Sequence, residues 1–256
     1  MKKILCLCFL FLFSTFKVYS ADIKIVQIDS LKFSPESAES VANFAKTIDE
    51  INNQKNVDFV IFTGNNIAKS NKQHLEQFLK NANRLHSPYF IALGHKDLNK
   101  RKGLSKTAYM DIARKKIHVK TSSPNYVFIK KKVVFIAADG AKEFIQTPFG
   151  YYRDDVITFL DSEISKYPKK NVVILQHFPI YPPDDREAFR TYNADRYLEM
   201  LGKHDNVKAV ISGFGVNSEN DVNGIKHITT ADYPAYRIIE IIDCDGKSPT
   251  IWSTLK

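Results

Sequence analysis

Cysteine is nearly absent from this chain, with three in 256 residues, at Cys6, Cys8 and Cys244. A fold held together by a disulfide framework is therefore excluded. Glycine and proline are sparse, ten of each, too few for a collagen-like or low-complexity chain. No apolar run reaches the roughly 20 residues that a bilayer span requires. No basic stripe carries interleaved aromatics, so no nucleic-acid partner is read from the sequence. Core material is abundant instead. Hydrophobic residues make up 44% of the chain, with 18 Phe and 12 Tyr, which excludes intrinsic disorder as the main state.

The first twenty residues have the pattern of a secretory signal peptide. Lys2 and Lys3 precede the apolar run Ile4–Phe16, and Val18-Tyr19-Ser20 offers a cleavage site before Ala21. The expected organisation is a signal peptide at 1–20 and one domain over 21–256. The protein is then exported, periplasmic or secreted, without a transmembrane span. Lys2, Lys3 and Lys17 leave with the leader, so the 37 basic residues fall to 34 against 28 acidic ones, a net charge of +6. That balance favours anionic partners in a general way. Cys244 is left alone, and an exported chain with one thiol depends on its core for stability.

The remainder alternates strand and helix patterns. Apolar strands are expected at Ile23–Ile28, Val57–Phe62, Pro88–Leu93, Val172–Leu175 and Val207–Ile211. Tyr126–Ile129 and Val133–Ala138 flank Lys130–Lys132 as a hairpin, and Ile225–Thr229 and Tyr236–Ile242 close the chain. Between them come helices. One has its start signal at Ser34-Pro35-Glu36 and buries Val41, Phe44, Ala45, Ile48 and Ile51. A second buries Leu75, Phe78, Leu79, Ala82 and Leu85, and two more cover Asp154–Lys166 and Ala194–Leu201. The alternation predicts an α/β fold with buried, mostly parallel strands.

In such sheets ligands bind beyond the carboxyl ends of the strands. Five loop segments fall there: Asp29-Ser30-Leu31-Lys32-Phe33, Thr63-Gly64-Asn65-Asn66, Gly94-His95-Lys96-Asp97, Gln176-His177-Phe178-Pro179 and Ser212-Gly213-Phe214-Gly215-Val216. In order, spacing and strand context they resemble the signatures of the calcineurin-like metallophosphoesterase superfamily, in particular its exported purple-acid-phosphatase-like and cyclic-nucleotide-phosphodiesterase-like members. The resemblance extends over about Ile23 to Ile242. It implies a sandwich of two mixed β-sheets flanked by helices and, in the family, a dinuclear metal centre that hydrolyses phosphoesters.

Position by position, the family's metal ligands are replaced. Ser30 stands for the first Asp, Lys32 for the first His and Asn65 for the bridging Asp. His95 takes the place of the ligand Asn, Lys96 that of the catalytic His, and Phe214 and Val216 those of the last two His; Asp97 is kept. Only His177 matches a ligand in kind. Ammonium groups repel dications and do not ligate them while protonated, so no metal and no other cofactor is expected.

Two acid positions have become neutral and two His positions have become Lys. This direction suggests a pocket for a phosphate-containing or other anionic ligand through Lys32, Asn65, His95, Lys96 and His177, although loss of metal binding followed by drift gives the same residues. If the chain is an active hydrolase instead, His95 and His177 are the acid–base candidates. A third reading uses the loop-rich 178–197 segment, with Tyr181-Pro182-Pro183 and Tyr192, to contact a protein partner. His74, His86, His118, His204 and His227 are read as structural or solvated.

Overall fold

The structure, a computed structural model, describes residues 22–117, 121–182 and 191–256. The leader expected at 1–20, His118 and the middle of the 178–197 segment lie outside the described residues. The order is β1 (Ile23–Ile28), α1 (Ala38–Asn52), β2 (Phe59–Phe62), α2 (Lys72–Ala82), β3 (Tyr89–Ile91), α3 (Lys106–Ala113), β4 (Tyr126–Lys130) and β5 (Val133–Ala137). It continues with α4 (Asp154–Ser165), β6 (Val172–Gln176), α5 (Ala194–Leu201), β7 (Val207–Ser212), β8 (Ser218–Val222), β9 (Ile225–Thr229), β10 (Tyr236–Ile242) and β11 (Thr250–Leu255).

The strands form two mixed sheets, ordered β11-β10-β1-β2-β3 and β4-β5-β6-β7-β9-β8. β1, β2 and β3 run parallel in the first, and β5, β6, β7 and β9 in the second. β10, β11, β4 and β8 pair antiparallel at the flanks. The sequence Phe59-Val60-Ile61-Phe62 explains the layering. Successive side chains on a strand point to opposite faces, so Phe59 looks into the sandwich and Phe62 looks outward. Phe59 meets Phe128 and Phe135 of the second sheet at ring-centroid distances of 5.3 and 5.0 Å. Phe62 instead packs on Phe44 of α1 and Phe78 of α2, at 6.0 and 5.0 Å. A strand covered on both faces can be apolar throughout, and burying each such ring contributes about 2 kcal/mol.

Three sequence expectations change. Ser34-Pro35-Glu36 is a turn, and α1 begins after Ser37, whose side chain accepts from the Ser40 N–H; Ser37 lies within reach of the orphan amides and Ser34 does not. The chain does not close at Ile242, because β11 adds a further strand. β8 was not expected at all: its sequence Ser-Glu-Asn-Asp-Val carries no apolar alternation, and among the described residues it pairs only with β9, at the sheet edge. Lys130–Lys132 does form the expected hairpin turn, but its charges are paired, Lys130 and Lys131 with Asp58 and Lys132 with Asp245. No helix among the described residues is long and apolar enough to cross a membrane.

Candidate functional site at the strand ends

All five loop segments converge at the carboxyl ends of β1, β2, β3, β6 and β7. Backbone hydrogen bonds join the first two: Ser30 N–H donates to the Gly64 carbonyl at 3.0 Å, and Lys32 N–H to the Asn65 carbonyl at 2.8 Å. Ser30, Lys32, Asn65 and Phe214 all have positive φ, at 48°, 47°, 51° and 82°. Such a conformation is costly for residues bearing a Cβ, so the loops, rather than local preference, impose it.

Asp29 organises the floor. It is fully buried, accepting from the Thr63 hydroxyl at 2.9 Å and the Phe214 N–H at 3.0 Å. Gly213 lies so close that a Cβ there would fall 1.6 Å from Asp29 Oδ1. Glycine is thus required by that approach. His177 Nδ1 is 2.7 Å from the Thr63 carbonyl and 3.3 Å from Asp29 Oδ1. A carbonyl can only accept, so Nδ1 carries a proton that it donates there, and Nε2 is left as the other ring nitrogen. Among the described residues that Nε2 is buried without a partner, as is His95 Nδ1.

Asp97 serves the scaffold. Its carboxylate accepts from the N–H groups of Asn66, Ile67 and Gly94 and from the Asn66 amide. Burial still pushes its pKa up to about 6. Asn65 is also engaged, its carbonyl oxygen accepting from Lys96 N–H at 2.9 Å and its amide reaching Ser30 Oγ at 3.4 Å.

Four rings then gather above this floor. His95 and His177 are 5.7 Å apart, and Phe214 packs on them at 5.8 and 5.4 Å. Phe178 completes the group, 4.7 Å from His177 and 5.6 Å from Phe214. The pKa of His95 is pulled down to about 4, chiefly by burial and further by the positive charges that His177, Lys96 and Lys32 present to it. Lys32 itself pairs with Asp232. Lys96 is exposed.

The structure therefore brings Lys32, Asn65, His95, Lys96 and His177 to one place, and Val216 is half-buried. Asp232, which holds Lys32, carried no signal in the sequence. The anchoring role of Asp29 was equally hidden, since a carboxylate that binds backbone amides looks the same in sequence as one that binds metal. The other histidines lie elsewhere: His74 beside the Asn71 cap, His204 on Asp161 at 2.6 Å, and His227 under the Tyr181 ring at 5.6 Å. Of the 178–197 segment, residues 183–190 are outside the described residues, and Tyr192 rests on Phe149 at 5.3 Å.

Residues 37–213 match the calcineurin-like phosphoesterase family, well over half of the chain, and the protein belongs to that family. The match begins after the first strand-end loop and stops just before Phe214. Among solved structures, a dimetal phosphatase from Danio rerio superposes with a TM-score of 0.71 at 13% identity, covering 91% of this chain and 99% of that one. GAP50, the anchor in the inner membrane complex of Plasmodium, gives 0.60 at 15% identity over 92% and 88%. TT1561 of Thermus thermophilus gives 0.60 at 13% identity over 91% and 99%. At these identities the likeness concerns the fold. No curated protein sequence matches the chain.

Proposed function

We propose that this protein is an exported, non-catalytic member of the calcineurin-like phosphoesterase family that binds a phosphate-bearing or other small anion at its strand ends. The observation that carries the reading is the Phe214 ring packed against both imidazoles, with two lysines at positions where the family places histidines. The donor set does not fit a pair of divalent metals. Asp29 is spent on Thr63 and a backbone amide, Asp97 on four N–H donors, and the Asn65 carbonyl on Lys96. Among the described residues no group of three or more His, Cys, Asp or Glu is placed to hold a metal ion.

Burial is the main reason a proton stays off His95, and the positive charges of His177, Lys96 and Lys32 add to it. That added field disfavours a cation and favours an anion. Lys96 supplies an available charge, and an incoming anion competes with Asp232 for Lys32. GAP50 is named as an anchor, so the fold is not bound to one reaction.

The test pairs metal analysis of the purified protein with a phosphodiesterase assay, with and without manganese, and with phosphate and pyrophosphate titrations by calorimetry at low salt. The expected result is below about 0.1 metal per chain, no turnover, and anion binding that weakens in Lys96→Ala. Stoichiometric metal with activity that a chelator abolishes would overturn the reading. Turnover that persists in chelator and disappears in His177→Ala would replace it with metal-free acid–base chemistry.

A further inference from the structure

Of the seven large apolar side chains that stand exposed among the described residues, four fall in one patch beside the site: Phe144 at 56%, Ile145 at 64%, Tyr151 at 38% and Tyr192 at 67%. Phe144 and Ile145 are adjacent in sequence and protrude together. A basic run far away in sequence, Lys100-Arg101-Lys102, is brought next to them. The Lys100 N–H donates to the Glu143 carbonyl at 2.7 Å, and the Lys100 ammonium pairs with the Glu143 carboxylate at 2.8 Å.

Charge and apolar surface interleave here. Lys100 sits 4.7 Å over the Phe144 ring, and Lys142 lies 5.1 and 5.6 Å over Tyr192 and Tyr151. Glu143 is spoken for by Lys100 and by the Lys106 N–H, and Arg153 by Asp155. Arg101 and Lys102 are exposed, and no carboxylate among the described residues pairs with them or with Lys142. Among the described residues the patch thus carries surplus positive charge around an apolar tip.

From this juxtaposition we infer that the Phe144-Ile145 loop docks the protein onto an anionic lipid surface. The cations meet headgroup phosphates, the tyrosines sit at the interfacial level, and the Phe144 and Ile145 tips enter the acyl boundary. A glycan would stack on aromatic faces, but a lysine stands over one face of each of Phe144, Tyr151 and Tyr192. An acidic protein segment would satisfy the cations but leaves no reason for two protruding apolar tips. The inference is independent of whether the strand-end pocket binds an anion.

The experiment is vesicle co-sedimentation of the chain from Ala21, which contains every described element and lacks the apolar run Ile4–Phe16 that would itself partition into lipid. Vesicles of phosphatidylcholine alone are compared with ones containing about 30% phosphatidylglycerol. Binding to the anionic vesicles is expected, with little to the neutral ones, and about 0.5 M salt weakens it severalfold. The double variant Phe144→Ser/Ile145→Ser lowers the partition coefficient about tenfold. Lys100→Ala/Arg101→Ala/Lys102→Ala lowers it at low salt and flattens the salt dependence. These side chains are exposed, so circular dichroism melts of all variants should match the parent. No binding to anionic vesicles, equal binding to neutral ones, or full binding by the Phe144/Ile145 variant overturns the inference; the last outcome would indicate diffuse charge attraction.

Discussion

A single buried hydrogen-bonded chain crosses this molecule, and its two ends differ. It runs from Arg237 through Thr230, Gln27 and Thr63 to Asp29 and His177. At the Arg237 end every donor is used. Nε meets Thr230, Nη1 meets Glu219 and Ser253, and Nη2 meets Asn217 and the Thr229 carbonyl. At the histidine end, His177 Nε2 and His95 Nδ1 have no partner among the described residues. Buried polar groups that close on one another hold a fold together, whereas buried groups left open destabilise it unless something else meets them. The first end joins β10, β8 and β11, and the second end lies at the candidate pocket.

The largest test of this contrast is Arg237→Ala. It strips a buried guanidinium from Glu219, Thr230 and two carbonyl oxygens, and should cost about 3 kcal/mol in urea unfolding. A cost below about 1 kcal/mol would mean that the closed end contributes no more than an ordinary surface pair.

Acid should act mainly through His95 at the open end and through His227, buried in β9. His95 and His227 both have folded pKa values of about 4 against an ordinary 6.5, chiefly through burial. The unfolded chain takes up protons first, so their contribution to stability is complete above about pH 6.5 and is lost as pH falls towards 4. The slope is on the order of 1 kcal/mol per pH unit for each histidine. Asp97 works in the opposite sense: its folded carboxyl titrates at about 6 against 3.8, so its contribution declines as pH rises between those values. Burial also lowers the pKa of His74, which adds to the histidines, and raises that of Asp139, which adds to Asp97. The two large histidine shifts outweigh the carboxyls, and Tm should fall as pH drops from 6.5 to 4.5. His227→Leu should make that fall shallower, and an unchanged profile would show that His227 is not buried neutral.

Smaller still is His95→Phe. It replaces an imidazole that has an orphaned nitrogen with a ring among rings, and should change stability by less than about 1 kcal/mol. A loss comparable to that of Arg237→Ala would erase the distinction between the two ends. Smallest is Lys32→Ala, which removes a partly exposed pair with Asp232 and should alter the unfolding midpoint by less than about 0.5 kcal/mol.

Where the sequence was legible, a periodic signal met burial. Ile225–Thr229, Tyr236–Ile242 and Ala194–Leu201 appear in the structure with the boundaries the pattern gives, because their apolar faces are what the core covers. β8 and β11 were illegible for the converse reason: edge strands need only backbone pairing on one side, so Ser218–Val222 can be polar and Thr250–Leu255 mostly exposed. In the candidate site, Lys32, Asn65, His95, Lys96 and His177 could be placed together from loop order alone. Their pairings could not. That Asp232 holds Lys32, or that Lys100 reaches Glu143, depends on side chains that are distant in sequence and meet only after the two sheets have packed.

Cys244 turns this architecture into a clock. Its side chain is 5% exposed, its backbone N–H is held by Asp22, and burial raises its thiol pKa. In the chain from Ala21 it is the only sulfhydryl. A thiol-reactive dye added to native protein can therefore react only during the moments when the β10–β11 edge opens. At dye concentrations where reaction outpaces reclosing, the labelling rate levels off at the frequency of that opening, from a single natural atom and without any engineered probe.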